Sequence, residues 1–315
     1  MLTPSQIKHF YDEGYLVVEN ALNDGLLNQL KHEYHDALSD LYDEWYHQGH
    51  VQEKPDGLNF WQQLDNVRKA NLEWFQPLDI SLPHTDIQED TPFHFGKASF
   101  GLLTCPALLD IAESILGGEI TSNPIQHVRI KPPEREVDGA EVRAHIRATD
   151  WHQDRGVTLE EADKTDMITL WVAITDANIE NGCLQIIPKQ HDKMLPHCPK
   201  TQTAIADGFI DDRKAMPLEV KAGSAILLHP LTPHNSLANH SNHYRWSFDL
   251  RYNVTGQATG RSHFPDFIAR SRKKPETELK DWKLWKKMWE DTRYRLANSP
   301  HIEQHRWQAD SPYCA

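Results

Sequence analysis

Between residues 125 and 252 the chain repeats short apolar runs, each closed by a turn signal, and no other feature limits its fold as strongly. Ile125-Gln126-His127-Val128-Arg129-Ile130 alternates, as a strand with one buried face does. Met167-Ile168-Thr169-Leu170-Trp171-Val172-Ala173-Ile174 is apolar nearly throughout, which suits a strand buried on both faces. Runs at 183–188, 218–220, 225–228 and 244–252 follow. Glu180-Asn181-Gly182 and Ala222-Gly223 supply turns between them. No βαβ rhythm is present, so a parallel sheet is disfavoured and an antiparallel sandwich or jelly roll is expected.

Helical signals flank this region. Thr3-Pro4-Ser5-Gln6 predicts a helix start, with Thr3 as cap and Gln6 three residues on, and Gly14 predicts its end. Tyr15-Leu16-Val17-Val18 reads as a short strand. Leu26, Leu27, Leu30, Tyr34, Leu38 and Leu41 lie near helical spacing in a long helix from 22 to about 46. Residues 47–97, interrupted by Pro and Asp, read as short helices and loops. A helix over 106–116 should close at Gly117-Gly118. Trp282, Trp285 and Trp289 predict a C-terminal helix that packs its Trp face on the barrel, or else on a partner or membrane. The expected fold is mainly β with flanking helices, as one domain over 1–315. It has a helical region at 1–120, a jelly-roll core at 121–260 and a helical extension at 261–315.

Bulk properties narrow the function. A formal charge of −13 disfavours a phosphate backbone as partner, so no nucleic acid is expected. Cys105, Cys183, Cys198 and Cys314 form no CxxC pair, and reduced thiols in a cytoplasmic protein fit that spacing. No signal peptide and no apolar run near the ~18 residues of a membrane span is read, so no membrane partner is expected. The homo-oligomeric state is left open.

Two separated segments carry the chemistry. In an extended chain residues i and i+2 point the same way, so His152 and Asp154 can reach one metal with Gln153 turned aside. His234 follows a predicted strand and supplies a third ligand. Two imidazoles and a carboxylate hold Fe(II) on one face and leave three positions for co-substrate and O2. Arg245 and Ser247 share a strand face, and a guanidinium is suited to grip the distal carboxylate of a dicarboxylic acid. Arg251 lies on the same face, but the spacing from His234 favours Arg245. A second HxD, His84-Thr85-Asp86, precedes the strand array and reads as loop.

The chain resembles the phytanoyl-CoA dioxygenase family of Fe(II)/2-oxoglutarate oxygenases. The likeness runs from Leu2-Thr3-Pro4 and Gly14-Tyr15-Leu16-Val17-Val18 through Lys131-Pro132-Pro133 and His152-Gln153-Asp154. It continues with Trp171, Glu180-Asn181-Gly182-Cys183-Leu184, Ile187-Pro188 and the His234-to-Arg245 interval. It implies a double-stranded β-helix, with His152, Asp154 and His234 as iron ligands and Arg245 as the 2-oxoglutarate anchor. Trp171 and His127 align near the pocket. Trp171 serves equally as core; Arg129 serves equally in a salt bridge; Thr169, on the face of Trp171, can hydrogen-bond co-substrate. The resemblance also disfavours halogenation, because related halogenases carry a small residue where Asp154 stands.

The expected activity is hydroxylation, or related C–H oxidation, of a small secondary metabolite or amino-acid-like molecule, with segments 47–97 and 189–216 as lids. Two other classes are consistent with parts of the pattern. One is a non-catalytic jelly-roll protein that binds metal and 2-oxoglutarate. The other is a cupin-like metalloenzyme that does not use 2-oxoglutarate, for which Arg245 and Ser247 have no task.

Overall fold

The structure, a computed structural model, describes residues 1–83, 85–134, 148–199, 203–300 and 306–314. His84 of the second HxD therefore lies outside the described residues. Helix α1 (Pro4–Glu13) carries the expected reciprocal cap: the Thr3 hydroxyl accepts from the Gln6 N–H, and the Gln6 side chain accepts from the Thr3 N–H. It ends at Gly14, whose φ of 85° favours a residue without a β-carbon. Strand β1 (Tyr15–Val18) follows, then α2 (Asp24–His47), α3 (Phe60–Lys69) and α4 (Phe75–Leu78). Residues 97–116 are long and apolar enough to cross a membrane by composition. This overturns the expectation that no run comes near that length. The stretch is nonetheless broken into α5 (Lys97–Leu103) and α6 (Pro106–Leu116), and Leu108, Leu109, Ile111 and Ala112 of α6 are buried.

The strands then run β2 (Glu119–Lys131), β3 (Met167–Ala173), β4 (Leu184–Ile186), β5 (His197–Pro199), β6 (Thr203–Ile205) and β7 (Met216–Leu218). They close with β8 (Ala225–Leu228), β9 (His234–Ser236), β10 (Arg245–Val254) and β11 (Phe267–Ser271), before α7 (Trp282–Ala297). The large sheet has the order β1-β8-β3-β10-β2-β11 and the small one β7-β4-β9, with every pairing antiparallel. A core that includes Trp171, Ala173, Leu184, Ile186, Leu218, Ile226 and Leu228 draws on both sheets. This is the expected jelly roll. Strand β3 sits between β8 and β10 and is buried at every residue, which explains its unbroken apolar run. Segment 189–216, expected to be poorly regular, contains β5 and β6 and leads into β7.

The chain forms two compact units. The sheets belong to one, built from 1–22, 103–279 and the described part of the C-terminal tail. Residues 1–22, expected with the helical region, join this unit because β1 pairs with β8 along the edge of the large sheet. The other unit holds α2, α3, α4 and α7. Within it Phe95 stacks on Trp289, with centroids 5.1 Å apart, and meets Trp285 edge-on at 4.4 Å. The Trp face of α7 thus finds aromatic partners in its own unit, where the barrel was expected.

The expectation of four reduced thiols is also corrected. Cys198 and Cys314 form a disulfide across 116 residues of sequence, a separation that spacing alone does not reveal. Cys105 and Cys183 are free and buried.

Candidate active site

His152 and His234 exchange backbone hydrogen bonds, each N–H donating to the other's carbonyl at 3.0 Å. That isolated bridge joins the HxD segment to β9, in place of the strand end expected for it, and holds the two rings 4.2 Å apart. Asp154 then opens a short 3-10 turn, 154–157. Gln153 turns away as expected: its amide donates to the carbonyls of Lys193 and Leu231, and its Oε1 accepts from the Leu195 N–H. Fully buried, it fixes the backbone between the two ligand candidates.

Each histidine presents the same nitrogen to the centre. His152 Nδ1 lies 2.8 Å from Asp150 O, and His234 Nδ1 lies 3.0 Å from Thr232 O. A carbonyl only accepts, so both Nδ1 atoms carry the proton and both Nε2 lone pairs are free to bind a metal. One potential ligand atom from each of His152, Asp154 and His234 lies within 4.8 Å of the others. Burial and the neighbouring His234 push His152 down to about 3, so its ring is neutral at physiological pH. Burial alone would raise Asp154, but Arg251, the two histidines and the Thr169 hydroxyl hold it well below the usual carboxylate range. A neutral His152 and an ionised Asp154 are protonation states that a divalent iron site needs.

The three residues line a recess between the sheets, together with Arg129, Trp171, Arg245 and Asp249. Arg245 is 2% exposed, donates to Ser247 Oγ at 2.7 Å and lies 5.3 Å from the Trp171 ring centre. Its Nε has no partner, and among the described residues no carboxylate is within ion-pairing distance. Burial pushes Arg245 down to about 10, offset by Asp249, which leaves it cationic at neutral pH. A buried guanidinium without a carboxylate partner costs several kcal/mol unless an anion joins it, and this one faces the recess.

The other candidates are placed as follows. Trp171 is both core and recess wall. The Thr169 hydroxyl donates to Asp154 Oδ2 at 2.6 Å, a protein acceptor where a co-substrate was expected. His127 sits on β2 opposite Asp249, half-buried, and is not among the residues that line the recess. Arg129 Nε donates to Asp249 Oδ2 at 2.5 Å, the salt-bridge alternative. Asp249, which the sequence does not single out, lines the recess, and Arg251 pairs with Asp154. The signal for both lies in the period of two along 245, 247, 249 and 251.

A family model for phytanoyl-CoA dioxygenase (PhyH) matches residues 10–247. The chain belongs to the phytanoyl-CoA dioxygenase family. Human peroxisomal phytanoyl-CoA dioxygenase is 23% identical over 287 residues, covering 89% of this chain and 75% of that protein. The non-heme monooxygenase ThoJ in its apo form aligns with a TM-score of 0.60 at 18% identity, over 93% of this chain and 97% of its own. EvdO2 from Micromonospora carbonacea var. aurantiaca, complexed with 2-oxoglutarate, aligns with a TM-score of 0.53 at 18% identity, over 82% and 94%. At these identities the structural likeness concerns the fold, and it agrees with the jelly roll described above. As a phytanoyl-CoA dioxygenase family member the chain is an iron- and 2-oxoglutarate-dependent oxygenase.

The dioxygenase has an acid-sensitive support beneath its ligand segment. The Gln153 N–H donates to His197 Nε2 at 3.1 Å, while His197 Nδ1 faces Leu195 O at 2.8 Å, so the ring must be neutral. Burial pushes His197 down to about 4. A histidine with a depressed folded value takes up its proton in the unfolded chain first. Its contribution is complete above the unfolded value near 6.5 and is lost as pH falls towards 4. Metal-free protein should therefore lose up to about 1.4 kcal/mol per pH unit through His197 in that window. Melting temperatures between pH 7.5 and 4.5 test this. A curve as steep for His197→Gln as for the wild type would show that His197 is not responsible.

Proposed function

We propose that this oxygenase oxidises a C–H bond of a small polar molecule, with hydroxylation as the outcome, using Fe(II), 2-oxoglutarate and O2 and releasing succinate and CO2. The observation that carries this reading is Arg245: a buried guanidinium, without an ion-paired carboxylate among the described residues, in the recess that also gathers His152, Asp154 and His234. A metal site that did not use 2-oxoglutarate would leave that charge unexplained.

His152, Asp154 and His234 would hold the iron. When bound, iron with 2-oxoglutarate supplies the coupling of O2 reduction and oxidative decarboxylation to C–H oxidation. Arg245, seated by Ser247 and Trp171, grips the distal carboxylate of the co-substrate and so orients its oxo-acid end toward the metal. The Arg129–Asp249 pair presents both charge signs in the same recess. That lining supports a small polar substrate, such as an amino-acid-like compound or a secondary metabolite.

The test is to add 2-oxoglutarate to anaerobic Fe(II)-loaded protein and record the visible spectrum. A weak charge-transfer band that disappears in His234→Ala is expected. No band in protein that demonstrably holds iron would refute chelation by 2-oxoglutarate and favour a cupin-like or non-catalytic metal protein.

A further inference from the structure

We propose that Arg251 is a positioning residue: it occupies one oxygen of Asp154, so that this carboxylate binds the metal through the other oxygen alone. The proposal rests on the reading of Asp154 as an iron ligand. The two carboxylate oxygens have different neighbours. Oδ2 faces the metal side, 3.9 Å from His234 Nε2, and accepts from the Thr169 hydroxyl at 2.6 Å. Oδ1 accepts from Arg251 Nη2. Arg251 Nε also donates to Thr169 Oγ1 at 3.3 Å, so one guanidinium bears on the carboxylate and on the hydroxyl that steadies it.

The backbone register sets this up. Arg251 pairs with Thr169 across β10 and β3, two residues beyond the Asp249–Trp171 pair, and directly opposed residues share a face. On its other side β10 has a register shift against β2 between Asp249 and Arg251. Arg251 is 7% exposed and Asp154 is 2% exposed. Among the described residues Asp154 is the carboxylate within ion-pairing distance of Arg251, and Arg251 Nη1 has no hydrogen-bond partner. The pair is therefore locked by mutual need, since either charge left alone in that place is costly.

The consequence lies in the count of open positions. A carboxylate free to turn can bind a divalent ion through both oxygens. Two imidazoles and two oxygens would leave two positions on a six-coordinate metal, enough for a chelating oxo acid but none for O2. With Oδ1 held by Arg251, Asp154 takes one position and three stay open. The guanidinium also competes with the metal for the carboxylate's charge. Loss of Arg251 should accordingly keep or raise metal affinity while it slows the O2-dependent step, a split that a merely structural role would not give.

The experiment compares wild type, Arg251→Gln and Arg251→Lys, loaded anaerobically with Fe(II) and titrated with 2-oxoglutarate, with metal affinity measured separately. For Arg251→Gln we expect metal affinity kept or raised, 2-oxoglutarate still bound, and the decay of the charge-transfer band on adding O2 slowed at least about tenfold. Arg251→Lys should recover part of the loss. An unchanged decay rate, or metal affinity lowered in parallel with melting temperature, would overturn the proposal. If the variants do not fold, infrared difference spectra of zinc-loaded against metal-free wild type still decide it. A wide separation of the two Asp carboxylate stretches is expected, and a narrow one, marking two-oxygen binding, overturns the role of Arg251. Because the infrared measurement involves no 2-oxoglutarate, its failure is distinct from failure of the functional reading, which a wild type unresponsive to 2-oxoglutarate would expose.

Discussion

Replacing Asp154 by alanine should abolish 2-oxoglutarate turnover, with a fall of more than about 1000-fold, because a first ligand is lost where even a supporting contact is worth 10–100-fold. The same change should destabilise the metal-free protein. Asp154 is the buried partner of Arg251 and the acceptor of the Thr169 hydroxyl. Breaking a buried pair on one side costs about 3–5 kcal/mol, since the remaining charge has no water to return to. For a chain of this size that is a drop in melting temperature of roughly 5–8 °C. Asp154→Asn separates the two effects: it keeps the shape and part of the hydrogen bonding while weakening the metal bond. Succinate release under saturating Fe(II), read beside calorimetry of the metal-free proteins, checks both. Turnover retained by Asp154→Ala with iron bound would remove Asp154 from the ligand set.

That double effect could not be read from the sequence, and the reason is instructive. The HxD pair, His234 and the His234-to-Arg245 interval were legible because a ligand set is a matter of residue type and spacing. The strand array was legible where burial is simple: β3 is buried on both faces and reads as an unbroken apolar run, and β8 appears at its expected bounds of 225–228. Reading failed where tertiary contacts decide. β5 and β6 are three residues each and pair only with one another, so no periodicity announces them. The Cys198–Cys314 bridge joins sites that nothing local connects. Thr169 was placed on the correct face, but its acceptor, Asp154, arrives from a 3-10 turn whose path follows from the His152–His234 bridge. Arg251 and Asp249 share the face of Arg245, and period-two reasoning carried two steps further would have put both in the site.

Arg245→Ala gives the second large effect, and its pattern matters more than its size. The guanidinium is buried, and among the described residues it donates to the neutral Ser247 hydroxyl. Its removal orphans no carboxylate among the described residues, whereas the Asp154 change strands the Arg251 guanidinium. The metal-free protein should keep its stability or gain some, because an uncompensated buried charge is relieved. The bound co-substrate, by contrast, loses a charge-assisted contact in a dry site. Such contacts are worth about 2–4 kcal/mol, so the Kd for 2-oxoglutarate should rise about 100-fold. Metal affinity should hardly move, since Arg245 touches none of His152, Asp154 or His234. Titrating the anaerobic charge-transfer band gives the Kd, and calorimetry gives the stability. A stable variant with weak co-substrate binding and intact metal binding identifies Arg245 as the anchor. Unchanged 2-oxoglutarate affinity would transfer that task to another cation of the recess, with Arg129 first in line because it lines the same wall.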